Sequence, residues 1–550
     1  MAASAALLLA LVGGPLVALA VQSIVKDGRL SLDAYAAVIG RSLYYQALLN
    51  TLTVGIGSAV LAVVFGTPIA WAVARTDMPL RRAVRTTVTA AYIAPPFLLA
   101  IAYVILAAPN TGVLNTAIAG LLGVERGPFN ACTMPALVFV TSLHTFPVVF
   151  LLVAAALESV DASLEQAARV LGAGRVRTTL RITLPLVLPS ILAGALLSFV
   201  SAIALFGSQA ILGIPGRVYT LPTRVYQVLG YPPDFALASA LSMLLVALTV
   251  VALALQRRRL GPHVAATIGG RGIGPEIVPL GRWRWAALAW CGAVLLVAVA
   301  LPYAALGTVS LLRARPAGLV AGNVTLDNYV DVLLRLDVTQ RAIGNSLLLG
   351  VITATVTLGL GIVLATIDLR TTLRGRRLLD YLALVPLGIP GIVLAVAILE
   401  LWLRLPVNLY GTLLILLIAY VTRFIPLAVS SARAALGQVD TSLEESARIV
   451  GATWWTAQRR VTLPLARPAL LAGWVLVFVP TIQELSASVL LFTPDTMTLA
   501  VAIFNFQDNG RIELVSAMGV VMLVLASVVV GAARRLAGRP VIGGVAGVPT

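Results

Sequence analysis

The chain has 550 residues, of which 59% are hydrophobic and only 11% carry a charge, and its formal net charge is +17. Soluble globular chains carry about 25% charged residues, so this composition excludes a water-soluble globular fold and predicts a polytopic, all-α membrane protein. The arginines lie in short clusters between hydrophobic segments, which is typical of topology determinants and argues against nucleic-acid binding.

Hydropathy predicts twelve transmembrane spans, because roughly 20 apolar residues suffice to cross the hydrocarbon core. They are expected near 3–24, 47–74, 86–108, 134–156, 184–212, 234–255, 285–309, 343–367, 378–402, 409–431, 464–492 and 513–533. The first segment lacks a basic n-region and is therefore predicted to be a spanning helix and not a cleaved signal peptide. With both termini in the cytoplasm, every arginine-rich loop falls on the cytoplasmic side of a bacterial inner membrane.

The stretch 256–284 is rich in Gly, Pro and Arg, and it predicts a cytoplasmic linker between two six-span halves, 1–255 and 285–550. The halves are a repeat. Residues 157–189 and 436–468 are identical at 16 of 33 positions at an offset of 279. Earlier in each half the offset is 295, and the matching pairs include Asn50/Asn345, Gly66/Gly361, Arg75/Arg370 and Pro95/Pro390. Both halves have the same predicted orientation, so the repeat is parallel.

The repeated segment after the fourth span of each half predicts a short cytoplasmic helix, a glycine bend and a second helix. Each copy shows a serine that starts a capping box, a Glu and an Arg four residues apart on one helix face, and a glycine at the helix end. These residues are Ser163, Glu165, Arg169 and Gly172 in the first copy and Ser442, Glu444, Arg448 and Gly451 in the second.

At these residues the sequence resembles the binding-protein-dependent ABC importer permeases. Their signature is Glu-Ala-Ala, three residues, Gly, nine residues, then an aliphatic residue, any residue and Leu-Pro. The matching positions are Gln166-Ala167-Ala168, Gly172, Ile182 and Leu184-Pro185, and Glu445-Ser446-Ala447, Gly451, Val461 and Leu463-Pro464.

The resemblance implies the type I permease fold and a coupling helix in each half that fits a groove on one of two ATPase subunits. It further implies that ATP and Mg are bound by those subunits, with no cofactor in this chain, and that an extracytoplasmic solute-binding protein docks outside. Candidate docking loops lie near 108–133, 213–233, 310–340 and 493–512. The implied coupling residues are Glu165, Gln166, Ala167, Ala168, Gly172, Leu184, Pro185, Glu444, Glu445, Ser446, Ala447, Gly451, Leu463 and Pro464.

The first copy departs from the family pattern at Gln166, where the signature has Glu. If the family glutamate forms an ion pair with the ATPase, the two coupling helices contribute unequally. The alternative is that positions 166 and 445 only close the capping box, which Gln serves almost as well as Glu.

Within the family, the chain is most similar to fused permeases for iron(III), thiamine and phosphonates. The run Gln483-Glu484-Leu485-Ser486-Ala487-Ser488 followed by Phe492-Thr493-Pro494 resembles the iron(III) and aminoalkylphosphonate members. Iron(III) is therefore the expected substrate, and a phosphonate, thiamine or a polyamine is the alternative. The sequence assigns no metal ligands.

Polar and ionisable residues inside spans are expensive in lipid and are therefore candidates for the translocation pathway. The candidates are His144, Ser208, Gln209, Arg423, Glu484, Ser486 and Ser488. Several alternatives remain at this stage. Glu484 either faces the pathway or pairs with a base to fix helix packing, and Arg423 lines the pathway, neutralises Glu484 or attracts an anion. His144 alone is also compatible with a packing role.

The chain is not expected to be an enzyme. A phosphate-binding loop requires Gly-x-x-x-x-Gly-Lys followed by Ser or Thr, and the only lysine, Lys26, stands in Ser-Ile-Val-Lys-Asp-Gly. ATP hydrolysis is therefore expected in a separate chain. Two other classes compete with the importer: a secondary transporter, in which the twin cytoplasmic motifs have no role, and an intramembrane enzyme, for which no catalytic pattern is present.

Overall fold

The computed structural model describes residues 2–26, 28–266, 277–318, 320–406 and 409–537. Helices account for most of this part of the chain, as predicted, and a two-residue hairpin pairs β1 (Val25–Lys26) with β2 (Arg29–Leu30). Residues 267–276 of the predicted linker and 538–550 of the predicted second half lie outside the described residues, as do the side chains of Arg257, Arg259 and Arg534.

The α-helices up to the linker are α1 (Ala2–Leu8), α2 (Gly14–Ser23), α3 (Asp33–Gly40), α4 (Ser42–Arg75), α5 (Arg81–Ile93), α6 (Pro96–Ala107), α7 (Val113–Leu122), α8 (Met134–Ser159), α9 (Ala162–Val170), α10 (Arg175–Thr178), α11 (Leu184–Ala204), α12 (Gly207–Gly213), α13 (Leu221–Val228) and α14 (Phe235–Ala266).

The α-helices after the linker are α15 (Trp283–Leu295), α16 (Leu301–Ser310), α17 (Asp327–Val330), α18 (Asp337–Arg370), α19 (Arg376–Leu384), α20 (Gly391–Arg404), α21 (Leu413–Gly437), α22 (Thr441–Ile449), α23 (Trp454–Ala457), α24 (Leu463–Ile482), α25 (Ser488–Leu491), α26 (Leu499–Asp508) and α27 (Ile512–Ala537). Short 3₁₀ turns occur at Arg315–Ala317, Ala321–Asn323 and Val385–Gly388, and π turns at Leu9–Gly13, Thr179–Thr183, Leu296–Ala300, Asp331–Arg335 and Gln458–Thr462.

Ten helices in the described residues are long and apolar enough to cross a membrane, and twelve spans result if each of two bent pairs counts as one. The longest are α4 and α18, with 34 residues each. At 1.5 Å per residue, each is about 50 Å long. The hydrocarbon core is only about 30 Å thick, so both helices project well beyond it. Their last residues, Arg75 and Arg370, lie at those projecting ends.

Two of the predicted spans, 86–108 and 378–402, are not single helices. Helix α5 meets α6 at 99°, and the segment Arg376–Gly388 meets α20 at 111°. The breaks fall at the repeated residues Pro95 and Pro390, both of which have extended ψ angles. Proline has no backbone N–H to continue a helix and forces the preceding residue out of the helical region, so each chain turns there.

The predicted spans 184–212 and 464–492 are also interrupted. Helix α11 ends at Ala204 before α12 begins, and α24 ends at Ile482 before α25 begins. In the first copy the buried Gln209 side chain donates to the carbonyl of Ala202 at 2.7 Å, which satisfies one orphan carbonyl of the broken helix. The hydropathy pattern missed these breaks because the residues on either side remain apolar.

The compact units of the structure differ from the predicted halves at the first span of each half and at Val225–Met243, which includes the start of the sixth predicted span. One unit contains Met1–Val38, Val225–Met243 and Val309–Thr550, and the other contains Ile39–Arg224 and Leu244–Thr308. Within the first unit, Leu8 packs in one core cluster with Leu364 and Val421. Within the second, the Tyr103 hydroxyl donates to the carbonyl of Val297 at 2.9 Å. These first spans are apolar on all sides, so sequence periodicity does not specify their neighbours.

Each unit is built around one pair of closely packed helices, α4 with α8 and α18 with α21. The repeated glycines Gly66 and Gly361 lie at these contacts. A Cβ on Gly361 would stand 2.8 Å from the carbonyl oxygen of Ala428, and one on Gly66 would stand 2.8 Å from that of Phe146. Such distances leave no room for a methyl group, so small residues set the spacing of both helix pairs.

We predict that Gly361→Ala lowers the stability of the protein by about 1–3 kcal/mol, because the two backbones must separate to admit the methyl group. The matched control is Gly359→Ala on the same helix, where a Cβ meets nothing within 4 Å. Thermal unfolding in detergent measures the difference. Equal midpoints for the two variants would show that the close approach does not limit stability.

Candidate functional site

The two short helices α9 and α22 are equivalent in sequence and structure, but their caps are not those predicted. Asp161 and Asp440 are the N-caps, and each accepts a hydrogen bond from the backbone N–H of Ser163 or Ser442 at 2.9 Å. Accepting this bond lowers the pKa of the Asp440 carboxyl. The predicted serine-started capping boxes are therefore wrong, because aspartate two residues earlier is an equally good cap that starts the helix sooner.

The new cap position also decides the role of Gln166 and Glu445 within their helices. Each is the fifth residue of its helix and points to solvent, so neither closes a capping box. The alternative that positions 166 and 445 only close a capping box therefore has no support in the structure. Their side chains remain available to another molecule.

Both helices end in the same way, as the glycines predict. Gly172 has a φ of +80° and Gly451 a φ of +91°. In the first copy Ala173 N–H bonds to the carbonyl of Ala168 at 3.0 Å and Gly172 N–H bonds to that of Arg169 at 2.9 Å. The second copy has the same two bonds. This is the Schellman arrangement, which requires a left-handed residue at the position of the glycine.

In the first copy, a buried three-residue brace fastens α9 to the spans beside it. Glu165 forms an ion pair with Arg75, the last residue of α4, and accepts a hydrogen bond from the hydroxyl of Thr183 at 2.6 Å. Arg75 also donates to the carbonyl of Leu157 at 3.2 Å. The side chains of Arg75 and Glu165 are only 1% and 8% exposed. One glutamate therefore joins the end of α4 to the start of the following span.

The second copy repeats this brace residue for residue. Arg370 Nε lies 3.0 Å from Glu444 Oε1, and Thr462 donates to the same oxygen at 3.0 Å. Arg370 also donates to the carbonyls of Leu436 and Val439, at 3.2 and 2.9 Å. The predicted pairing of each glutamate with an arginine four residues later is therefore wrong, since in the described structure both glutamates turn inward to an arginine on another helix.

The threonines of the two braces belong to π turns, Thr179–Thr183 and Gln458–Thr462, which precede the Leu-Pro residues. Pro185 and Pro464 lack the N–H that a regular helix needs, so the preceding turn loosens. The signature residues Leu184, Pro185, Leu463 and Pro464 thus mark the start of α11 and α24. Of the small signature residues, Ala168 is buried, whereas Ala167 and Ser446 are exposed and Ala447 is half-buried.

Among the described residues, the end of the linker covers the first brace and not the second; we call this segment the strap (residues 277–280). Val278 N–H donates to the carbonyl of Arg75 at 2.7 Å, and Leu280 N–H donates to Asp77 Oδ1 at 2.8 Å. Val278 and Pro279 line a small pocket together with Arg75 and Glu165. In the second copy the side chains of Arg370 and Glu444 are each 12% exposed. The two braces therefore have the same hydrogen bonds and ion pair, but the second is more exposed to solvent than the first.

An apolar pair at the end of each helix faces solvent. Val170 and Leu171 in the first copy, and Ile449 and Val450 in the second, are all more than four-fifths exposed. Both pairs are therefore available for contact with another molecule.

Arg423 and Glu484, predicted as pathway candidates, form an ion pair. Arg423 Nε lies 2.7 Å from Glu484 Oε2, and the side chains are 24% and 6% exposed. The other carboxylate oxygen accepts the N–H of Ala487 at 2.9 Å, at the break before α25. The ion pair matches the alternative that Arg423 neutralises Glu484, and it leaves the pathway and anion-binding alternatives for Arg423 open.

The two serines near this pair have different surroundings. The Ser488 hydroxyl lies 2.5 Å from that of Tyr420 and donates to the carbonyl of Glu484 at 2.7 Å. Ser486 is buried against Gly391, at the start of α20. The structure thus brings Arg423, Glu484, Ser486 and Ser488 together at the break of the span.

The first-half candidates are arranged differently. His144 stacks on Tyr92, with ring centroids 6.2 Å apart. Gln209 accepts a hydrogen bond from the Thr220 hydroxyl, and the buried Ser208 hydroxyl has no hydrogen-bond partner among the described residues. None of these contacts is an ion pair. Among the described residues, no group of three or more His, Cys, Asp or Glu is placed to hold a metal ion.

Sequence reasoning missed a second repeated bracket at the opposite ends of α4 and α18. Asn50 donates to the carbonyl of Tyr219 at 2.8 Å, and Asn345 donates to that of Met497 at 3.0 Å. The neighbouring hydroxyls of Thr51 and Ser346 accept the N–H of Leu221 and Leu499 at 2.8 and 2.7 Å. The identity of Asn50 and Asn345 at the repeat offset indicates that the position matters in both halves, but it does not indicate which carbonyls the two side chains bind.

Comparison with known proteins assigns the chain to one transport family. The family described as "Binding-protein-dependent transport system inner membrane component" matches residues 46–261 and 357–541. The chain is 26% identical over 394 residues to the ferric transport system permease protein FbpB of Actinobacillus pleuropneumoniae, a match that covers 69% of this chain and 55% of that protein.

Two further relatives show the same kinship. The putative ferric transport system permease protein FbpB 1 of Haemophilus influenzae is 27% identical over 369 residues, which cover 66% of this chain and 57% of that protein. The molybdenum transport system permease protein ModB of Escherichia coli is 30% identical over 212 residues, which cover 38% of this chain and 90% of that protein. The chain thus spans little more than half the length of the ferric relatives.

We predict that Glu165→Ala lowers stability by about 3–5 kcal/mol, because it leaves Arg75 charged, buried and unpaired. Glu444→Ala is expected to cost less, since Arg370 is more exposed to solvent. The exposed Glu445→Ala is the control and should change stability by less than about 0.5 kcal/mol. Thermal unfolding ranks the three variants. A loss at Glu444 that equals or exceeds the loss at Glu165 contradicts the prediction.

We predict that Asp77→Ala releases the strap and thereby loosens α9, because Leu280 loses its hydrogen-bond acceptor. Amide hydrogen exchange should accelerate on the order of tenfold at Val278 and Leu280 of the strap and in α9, while α22 should not change. Glu125→Ala, which removes an exposed acid elsewhere, is the control. If exchange accelerates in the strap alone, the strap does not support the helix.

Proposed function

The chain belongs to the family of binding-protein-dependent transport system inner membrane components, and we propose that it is the permease subunit of an ATP-driven solute importer. In this role it forms the translocation pathway, while separate ATPase subunits bind ATP and Mg and carry out hydrolysis. The observation that supports this proposal most strongly is the pair of identical Arg–Glu–Thr braces behind two solvent-facing helices.

The braces are suited to transmit a displacement. A partner that pushes on α9 acts on Glu165, and Glu165 is held both to the end of α4 and to the start of the next span. Because the brace is buried and bonded at both ends, the short helix cannot move without those spans. The same holds for α22 through Glu444. Two such helices suit two ATPase subunits.

We propose that each exposed apolar pair, Val170–Leu171 and Ile449–Val450, enters a groove on its ATPase subunit. The adjacent exposed residue is neutral Gln166 in the first copy and charged Glu445 in the second. A basic group at the groove therefore gains an ion pair only with the second helix. The two subunits are expected to be held with unequal strength.

The proposed orientation places α9, α22 and both chain termini in the cytoplasm, since the arginine-rich loops fall on that side. The opposite ends of α4 and α18, with the brackets of Asn50 and Asn345, then face the outside. A solute-binding protein docks there, on the predicted loops near 108–133, 213–233, 310–340 and 493–512. Alternating access follows when the coupling helices shift with the state of the ATPase subunits.

For the substrate, we propose iron(III), with a phosphonate, thiamine or a polyamine as the alternative. The support is the similarity to two ferric transport permeases over about two thirds of this chain. The molybdenum permease relative shows that the same repeat serves other solutes. In a system with a separate binding protein, selectivity is expected to reside mainly in that protein.

The proposal is tested with the chain co-expressed with the ATPase encoded beside it. We predict that Glu445→Arg and Gly451→Pro reduce solute-stimulated ATP hydrolysis about tenfold or more. The first reverses an exposed charge at the groove, and the second cannot adopt the positive φ that the helix end requires. Gln166→Arg measures the contribution of the first helix, and Glu125→Arg is the control for a charge reversal outside the coupling helices.

Purified complexes must remain assembled in detergent or nanodiscs for the comparison to hold. If no ATPase co-purifies and both variants still transport, the importer assignment fails. A transporter driven by an ion gradient would then be the better account.

A further inference from the structure

The start of α20 in the second half has side-chain surroundings that its first-half counterpart, the start of α6, does not share. Helix α20 begins after Pro390, at the 111° bend, and none of its first backbone N–H groups is capped by a side chain. Its first intrahelical bond is donated by Leu394, so the N–H groups of Gly391, Ile392 and Val393 precede it. All three residues are buried. Buried N–H groups at a helix start require acceptors.

Two polar side chains converge on this helix start. A Cβ on Gly391 would lie 2.5 Å from Arg423 Nη1 and 2.8 Å from the Cβ of Ser486, so both side chains lie directly against the glycine. Ser486 is 9% exposed, and its hydroxyl makes no hydrogen bond to any residue that the structure describes. A serine hydroxyl that makes no hydrogen bond, on a buried residue next to uncapped N–H groups, leaves a set of donors that lacks an acceptor.

Arg423 completes the set of donors. Its Nε is used by Glu484, but within the described structure its two terminal nitrogens make no hydrogen bond. The guanidinium side chain is 24% exposed and is therefore reachable. Glu484 is itself satisfied, because its second oxygen accepts the N–H of Ala487. The terminal edge of the guanidinium is thus free to offer two parallel donors, the geometry that suits an oxyanion.

The first half repeats the bend and the uncapped helix start, at α6, but lacks the side chains of this arrangement. His144 replaces Arg423, Gly207 replaces Ser486 and Leu205 replaces Glu484 at the repeat offset. Pro96 replaces Gly391 at the helix start, and proline has no N–H to offer. The two side-chain donors and the N–H of Gly391 therefore exist in the second half only, which packing requirements common to both halves do not explain.

We infer that Arg423, Ser486 and the N-terminal N–H groups of α20 form a binding site for an oxyanion within the membrane part of the chain. The helix dipole and the guanidinium attract the anion, while Glu484 offsets one positive charge. Affinity is therefore weak, as passage through a pathway requires. This inference rests on the proposed transport function and narrows its substrate class to a solute that is, or travels with, an oxyanion.

The test measures anion binding to the full chain in lipid nanodiscs by ¹⁹F NMR line broadening of trifluoromethylphosphonate. Saturable broadening in the millimolar range is expected, with competition by inorganic phosphate, bicarbonate and methylphosphonate. Arg423→Gln should weaken binding about tenfold, and Ser486→Ala should weaken it several-fold. Gly391→Ala should also weaken binding, because its methyl group displaces the guanidinium.

Glu484→Gln separates a binding role from a purely structural one. It retains an oxygen for the N–H of Ala487 but frees the guanidinium from its carboxylate, so binding should tighten several-fold. Arg404→Gln, which removes a charge from the last residue of α20, is the control, and this variant should bind the anion as the wild type does. Absence of saturable broadening, or wild-type affinity in both Ser486→Ala and Glu484→Gln, overturns the inference.

Uptake into proteoliposomes containing the ATPase complex distinguishes the source of the anion. Iron(III) uptake that requires bicarbonate or phosphate indicates an anion that accompanies the metal, and uptake of labelled methylphosphonate indicates an anionic solute. ATP-driven uptake without measurable anion binding overturns this inference and leaves the proposed function intact. Anion binding without any ATP-driven uptake overturns the proposed function and leaves the anion site intact.

Discussion

The buried ion pair between a coupling-helix glutamate and the last arginine of a long span is the interaction on which the rest of the architecture depends. Glu165 with Arg75, and Glu444 with Arg370, each fix a short surface helix to two membrane helices. A buried charge is tolerated only when it is paired and hydrogen-bonded, and here a threonine and backbone carbonyls complete both sets of bonds. In both copies the arginine that forms the pair is the last residue of the long helix, α4 or α18.

Inside the membrane, the requirement that backbone groups find partners shapes the breaks in the spans. The chain leaves the helical path at Pro95 and Pro390 and again after Ala204 and Ile482. Polar side chains gather at these breaks because they supply the missing partners, as Gln209 does for Ala202 and Glu484 does for Ala487. Polar residues that look like isolated pathway candidates in the sequence therefore also hold the broken helices together.

The repeat preserves the braces but not the surroundings. In the described part of the chain the strap covers the first brace and not the second, and the exposed fifth position of the short helix is Gln166 in α9 and Glu445 in α22. In the membrane, the charged pair of Arg423 and Glu484 has no equivalent in the first half. The repeat thus keeps the same internal bonds behind both short helices while the residues around them, and the polar groups inside the spans, differ between the halves.

The sequence by itself determined the membrane class, the twelve apolar segments, the parallel repeat and the glycine ends of the coupling helices, because hydropathy, identity at a fixed offset and a positive φ are local properties. Tertiary structure alone decided the partners. Glu165 pairs with Arg75 and not with Arg169, although Arg169 is nearer in sequence. When Glu165 is buried beside Arg75, it can also accept the hydrogen bond from Thr183. The first span of each half likewise joins a unit that its sequence position does not suggest, because a helix apolar on every side packs wherever a complementary apolar face is available.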